Sequence, residues 1–234
     1  MCGRLIGGDR TQAEMAELVN GFLYPTKAIS IDASAPDPAT GYNIAPTQQV
    51  SLLYPEADGQ LIASSARWWF VPPWHKGDVK DWKATTFNAK IETAFEKPTF
   101  RQSWNSGRCL ILASGYYEWS GPKTDKQPHR IYVEQNQPIM LFAGLQSKRR
   151  DGMRSCTILT RAALPEIQEL HPRMPVVLNS DEAERWLSGA DSNDTIQAEY
   201  GTQWQGRFRH HRVAKFGARD DGPELIEEFN DRLF

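Results

Sequence analysis

Arg108-Cys109-Leu110-Ile111-Leu112-Ala113-Ser114-Gly115-Tyr116-Tyr117-Glu118-Trp119 carries the reading of the fold. Cys109 to Ala113 is a short apolar run and reads as a strand; Gly115 to Trp119, rich in aromatics, reads as the next. A polar turn from Gly121 to Pro128 follows. Arg130 to Val133, Ile139 to Leu145 and Cys156 to Thr160 extend the series of strands. Upstream, Val50 to Tyr54 and Gln60 to Phe70 form a pair around a turn at Glu56 to Gly59, and Gly3 to Ile6 is a shorter strand. Downstream, Phe208 to Ala214 is the last. Helices are expected after Thr11, over Asn88 to Phe95 with Asn88 near its N-cap, near Phe100 to Trp104, over 164–170, from Asp181 to Leu187 and from Asp194 to Tyr200. Thr11 and Glu14 have capping-box spacing, and Asn20-Gly21 is the expected end of that helix. His171 to Leu178 is extended, because Pro172 and Pro175 bias the residues before them away from helix. Strands dominate without regular βαβ alternation. The prediction is one α+β domain over residues 1–234 with a mostly antiparallel, barrel-like or sandwiched sheet. Loops at 24–41 and 71–86 exceed ordinary connections and are candidates for function.

A chain of 234 residues with 40% hydrophobic and 24% charged residues can bury a sizeable core. No apolar run approaches the ~20 residues that span a bilayer, and no basic-then-apolar N-terminal pattern predicts secretion. Cys2, Cys109 and Cys156 are an odd set without metal-ligand spacing, so the expectation is a reducing cytoplasm with no disulfide framework and no metal. The net charge of −2 argues against strong nucleic-acid attraction on average. Charge is unevenly spread, however: Lys76, Lys80, Lys83, Lys90, Lys97, Arg101 and Arg108 face fewer acids, and Lys148 to Arg150 and Arg207 to Lys215 are further basic clusters. Each is either a solvated face or part of a basic groove.

The chain begins Met1-Cys2-Gly3-Arg4. A methionine before a small residue is a common substrate for removal. Cys2 would then carry a free α-amine (pKa ~8) beside a thiol (pKa ~8.5). Such a 1,2-aminothiol takes up an aldehyde: the amine gives a Schiff base and the thiol closes a thiazolidine ring. The alternative is an accidental cysteine at a frayed end. Glu118 is a carboxylate within an aromatic strand; facing inward it is a desolvated proton donor, facing outward a surface charge. His171, in Leu170-His171-Pro172-Arg173-Met174-Pro175, is either a proton-transfer group or a hydrogen-bonded structural residue. Asn88 is either an N-cap or an amide contacting substrate or the N-terminus. Trp68, Trp69 and Trp74 are either core or a stacking platform for unpaired bases beside Lys76, Lys80 and Lys83. Cys109 and Cys156 read as buried core thiols.

Met1 to Arg4, Tyr42-Asn43-Ile44-Ala45-Pro46, Trp68 to Pro72, Asn88 to Thr93, Arg108-Cys109, Gly115 to Trp119 and His171 to Pro175 occur in an order that resembles the SOS-response-associated peptidase (SRAP) family of abasic-site processing proteins. The resemblance covers about residues 2–175, with 176–234 expected to pack in the same domain. It implies a monomeric protein of the cytoplasm, nucleoid-associated when bound, that binds single-stranded DNA at abasic sites. It implies that Cys2, exposed by loss of Met1, forms a reversible thiazolidine crosslink with the opened sugar. On the same ground Glu118 shuttles protons, His171 holds the sugar hydroxyl and Asn88 orients the lesion or the N-terminus. Arg4, Lys90 and Arg173 would contact phosphates, Asn43 and Pro46 would shape the site, and Trp68, Trp74 and Trp119 would lie along the DNA. Self-processing peptidase and lyase side activities are further implications; no cofactor, nucleotide or membrane is implied. Two positions depart from the family pattern. Lys90 stands where Arg is frequent and loses bidentate geometry, and Trp69 stands where Gly is usual. The rival readings are a thiol peptidase acting on other proteins and a non-covalent single-strand binding module.

Overall fold

The computed structural model describes residues 2–23, 28–134, 139–202 and 207–229. Its strands are Leu5–Ile6 (β1), Ile29–Ile31 (β2), Gln49–Pro55 (β3), Leu61–Trp68 (β4), Asn88–Lys90 (β5), Arg108–Ala113 (β6) and Gly115–Ser120 (β7). Gln127–Glu134 (β8), Met140–Lys148 (β9), Arg154–Ala162 (β10), Arg173–Pro175 (β11), Val177–Leu178 (β12) and Arg207–Arg212 (β13) follow. The helices are Gln12–Leu23 (α1), Ile91–Ala94 (α2), Arg101–Ser106 (α3), Pro165–Gln168 (α4), Ser180–Ser188 (α5) and Asn193–Glu199 (α6).

Ser114, between β6 and β7, sends them into different sheets. β7 joins a four-stranded antiparallel sheet in the order β1-β7-β8-β13. β6 lies inside a nine-stranded sheet whose main path is β11-β10-β4-β3-β6-β9-β12. Since β10 pairs with both β4 and β9, that path returns on itself, but the β4–β10 contact is only Ser155↔Arg67 and Cys156↔Trp68. The sheet is therefore barrel-like without being a regular barrel. The expected antiparallel pattern holds for most pairs; β2–β4, β4–β10 and β5–β10 are parallel.

Period-2 alternation sends the side chains of the large sheet to two cores. Leu110 and Leu112 of β6, Leu141 and Ala143 of β9 and Leu53 of β3 meet Val19 of α1, Trp104 of α3 and Trp186 of α5. Cys109 and Ile111, with Phe142, Leu52 and Trp68, meet Leu5, Tyr116, Ile131 and Phe208 of the small sheet. The order of layers is helices, large sheet, small sheet. Both faces of β6 and β9 are covered, which is why those strands read as nearly continuous apolar runs.

Local chemistry sets the helix ends. Thr11 and Glu14 form the expected capping box before α1: Glu14 Oε2 accepts from Thr11 N at 2.7 Å, and Glu14 N donates to Thr11 Oγ1 at 3.3 Å. The helix runs past Asn20-Gly21 to Leu23, because Val19 and Leu23 both pack in the core. On α5, Asn179 accepts from Glu182 N and Glu182 accepts from Asn179 N, both at 2.9 Å. The helix ends at Gly189 with φ 70°, a left-handed conformation that glycine adopts without Cβ strain. Asn179→Ala is expected to lower stability by about 1 kcal/mol, measured as a lower urea midpoint at unchanged slope.

The expected Asn88–Phe95 helix is a correction. Asn88–Lys90 is strand β5, in parallel register with Ile158 to Thr160, and only Ile91–Ala94 is helical. The sheet edge offered by β10 recruits residues 88–90, so Lys90, not Asn88, occupies the N-cap. Within the expected loop 24–41, Ile29–Ile31 adds a strand parallel to β4; residues 24–27 lie outside the described ones. Among the described residues no helix is long and apolar enough to cross a membrane.

Candidate active site

β1 is the strap that positions the N-terminus. Leu5 and Ile6 pair with Tyr116 and Gly115 of β7, and on its other side Leu5 exchanges hydrogen bonds of 2.9 and 3.0 Å with Ile44. Tyr117 N adds a bond of 3.1 Å to Arg4 O. The residues before β1 are thereby carried along β7 towards Glu118. Cys2 is fully buried in the core between the sheets. Its carbonyl accepts from Asn88 Nδ2 at 2.7 Å. The side-chain amide of Asn88 thus holds the N-terminal segment, one of the two roles expected for it, and the N-cap role is excluded by its place in β5.

Glu118 is 4% exposed, which resolves its facing: it points inward, on the same face of β7 as Tyr116. It stands close enough to Cys2 that its charge reinforces the effect of burial in pushing the Cys2 thiol well above its ordinary value. The thiol is therefore protonated at neutral pH and needs a neighbouring base to become a nucleophile. Tyr116, also fully buried, joins this group; burial first, then Cys2 and Glu118, raise its phenol well above the ordinary value. Tyr116 was not among the residues expected from the sequence. Its only signal there is its place two residues before Glu118, which puts both on one face. His171 lies between α4 and β11, with Nδ1 3.0 Å from Arg173 N and 2.9 Å from Arg173 O. The Arg173 backbone thus fixes the orientation of the imidazole.

The expected DNA-contacting residues separate into three groups. Lys90 and Trp74 are exposed, Trp74 by 51%. Trp74 stands over Trp82 edge-on at 5.6 Å and lines a cavity of about 520 Å³ with Lys76, Arg149 and Arg150. Arg4, Pro46 and Trp119 are half-buried; Trp119 packs on Phe216 at 5.9 Å. Arg173 and Asn43 are engaged within the protein. Arg173 makes a bidentate pair with Glu92 at 2.6 and 2.8 Å, and although burial opposes it, Arg173 holds the Glu92 carboxyl below its ordinary value. Asn43 Nδ2 donates to Gly217 O at 3.0 Å and Asp220 O at 2.8 Å, so it ties the C-terminal segment to the loop before β3.

Trp68 is a correction. It is fully buried, its Nε1 donates to Phe87 O at 2.9 Å and its ring meets Phe87 edge-on; the indole packs the core and offers no face to a base. Trp69, where the sequence departs from the family pattern, is half-buried against Phe87 at 5.4 Å. Cys109 and Cys156 are fully buried, as expected. Thr47, next to Pro46, has φ 83°, a strained conformation for a β-branched residue; Thr47 O accepts from Arg67 Nη1 at 2.8 Å.

Residues 1–216 match the model of the family described as SOS response associated peptidase (SRAP). This chain belongs to that family. Abasic site processing protein YedK of Escherichia coli is 30% identical over 235 residues, covering 97% of this chain and 99% of that protein. Abasic site processing protein YoqW of Bacillus subtilis is 31% identical over 195 residues, covering 80% of this chain and 85% of its own. A solved structure of a protein from Bacteroides thetaiotaomicron superposes with a TM-score of 0.77 at 20% identity, over 98% of this SRAP chain and all of the other. That likeness establishes a shared fold. The SRAP match runs to residue 216, beyond the motifs that end near Pro175, and so takes in β13.

Proposed function

We propose that this SRAP protein processes abasic sites in single-stranded DNA by forming a covalent thiazolidine through Cys2 once Met1 has been removed. The observation that carries the reading is the convergence of two sequence-distant side chains on an N-terminal segment that β1 holds in place. Asn88 holds the Cys2 carbonyl, Glu118 is buried beside the thiol, and β1 fixes the segment to β7. The names of the relatives YedK and YoqW support the substrate.

The chemistry balances without a cofactor. The α-amine adds to the aldehyde carbon of the opened sugar and expels one water, leaving a C=N bond. The thiol then adds across that bond: sulfur bonds carbon, and the thiol proton ends on nitrogen. Glu118 gives a proton to the leaving oxygen and takes one back from the nitrogen as the C=N bond forms, then relays the thiol proton to that nitrogen as the ring closes. His171, oriented by the Arg173 backbone, supports the sugar hydroxyl. Ring closure reverses by the same steps. Trp74 with Lys76 and Arg150, and Lys90 on its own strand, supply a stacking surface and phosphate contacts for a strand without sequence readout.

The test is an intact-protein mass spectrum before and after incubation with an oligonucleotide carrying one abasic site. The expected result is loss of one methionine mass, then an adduct equal to protein plus oligonucleotide minus one water. A processed N-terminus with no adduct overturns the reading and favours a peptidase. Glu118→Gln is expected to slow adduct formation by about 10²-fold, within the range for removal of a general acid–base, with an unchanged circular-dichroism spectrum. Equal rates in the two proteins would remove Glu118 from the mechanism.

A further inference from the structure

The same face of the small sheet that carries Glu118 continues into a second polar site. Glu118 of β7 is the direct register partner of His129 on β8, and His129 is the partner of Arg212 on β13. Ser120 stands two residues further along β7, about 7 Å from Glu118 on the same face. Ser120, His129 and Arg212 open into a cavity of about 680 Å³, with Lys215 and Phe229 at its wall. His129 is 9% exposed. Ser120 Oγ lies 2.9 Å from its Nε2, and its Nδ1 is buried and makes no hydrogen bond among the described residues. The His210 ring meets it edge-on at 5.7 Å. Among the described residues the carboxylate in the wall is Asp125, paired with Lys215, so Arg212 leaves the lining cationic. Phe229, 41% exposed, is held by a bond from its N to Arg212 O at 2.8 Å and lies against the Arg212 guanidinium.

We infer that this cavity binds a backbone phosphate of the DNA strand whose abasic sugar occupies the Cys2–Glu118 site. The ligand chemistry is a phosphate: an arginine, a lysine, a hydroxyl and an imidazole converge, with an aromatic ring at the lip where an adjoining base can stack. Burial, then the charges of His210, Arg212 and His211, pull the His129 imidazole below its ordinary value. An arriving phosphate opposes that shift, so His129 takes up a proton on binding. Glu118, Asp125, His210, His211, Arg212 and Lys215 are the charged or titratable groups around it. The inference rests on the proposed reading of the active site, but its test does not depend on crosslinking.

The experiment titrates the full chain with inorganic phosphate and, separately, with a single-stranded oligonucleotide carrying a reduced abasic site that has no aldehyde. The His129 ring resonances are followed by NMR, and His129→Phe assigns them. The oligonucleotide is expected to shift them downfield. Arg212→Gln is expected to weaken oligonucleotide binding roughly fivefold to tenfold and to lower the slope of log Kd against log salt by about one. A response to inorganic phosphate but not to the oligonucleotide overturns the strand assignment and leaves a free-anion site. No response to either, or an unchanged salt slope in Arg212→Gln, overturns the inference. A His129 response with no covalent adduct at a genuine abasic site upholds the phosphate site and defeats the aminothiol chemistry, so the two failures are distinct.

Discussion

Cys2→Ser is expected to abolish the adduct that survives a denaturing gel, while leaving a Schiff base that borohydride can trap. In the proposed chemistry the two nucleophiles of residue 2 have separable tasks. Serine retains the α-amine and nearly the same volume in a site where residue 2 is fully buried, so the fold and the imine step persist. The hydroxyl is a far weaker nucleophile than the thiol towards C=N, and the unclosed imine hydrolyses in denaturant. Sodium borohydride present during incubation reduces the imine carbon and makes the link permanent. The expected pattern is therefore background adduct without reductant and restored adduct with it. Stable reductant-free adduct from Cys2→Ser, at the parental level, would show that the thiol has no part in the linkage. The parental thiol is held protonated by burial beside Glu118, so Cys2→Ser and Glu118→Gln act on one proton transfer and their effects are not additive.

Trp186→Ala is expected to cost about 3–5 kcal/mol, a fifth or more of the ~5–15 kcal/mol that holds a domain folded. The indole is fully buried on α5. It meets Trp104 edge-on at 5.5 Å and Tyr200 at 6.1 Å, and the Arg108 guanidinium lies 4.6 Å from its ring centroid. Its Nε1 donates to Cys109 O at 2.9 Å, which joins the helical layer to β6. Truncation leaves a cavity and also strands that carbonyl. The measurement is the urea midpoint of the variant, with Trp74→Ala as the comparison. Trp74 is 51% exposed, and its removal is expected to move stability by less than about 0.5 kcal/mol. Equal losses at the two positions would mean that the helical layer contributes little to holding the large sheet.

The two tryptophans also mark what the sequence could convey. Strand type was legible wherever apolar residues formed short runs bounded by turns, as in β6 and β9. The facing of Glu118 was not, because both faces of β7 are covered. Tyr116 points to the inter-sheet core, and Tyr117 packs with Val213 and Leu225 of the C-terminal segment, so no alternation of polar and apolar residues survives. Trp68 and Trp74 looked alike in sequence. Their different fates follow from Trp68 ending β4 inside the core and Trp74 following Pro72-Pro73 out of it. Asn88 had two readings of its amide, and the choice depended on the strand around Ile158, far along the chain, that no local window contains. The cluster of Arg207 to Lys215 was visible as charge, but its position across β8 from Glu118 is a property of the β7–β8–β13 pairing.

The strap β1 sets a timetable for synthesis. Residues 2–6 are made before their partners: their pairing strand arrives with β7, the amide that holds Cys2 with Asn88, and the carbonyls that hold Asn43 with Gly217 and Asp220. Long-range pairings of this kind close late, since the entropy of the intervening chain must be given up before any contact forms. Residues 2–6 are thus made before the elements that hold them and settle after those elements are in place. Burial of Cys2 then follows from the pairing of β1 with β7, so its pocket is assembled only in molecules translated past β7.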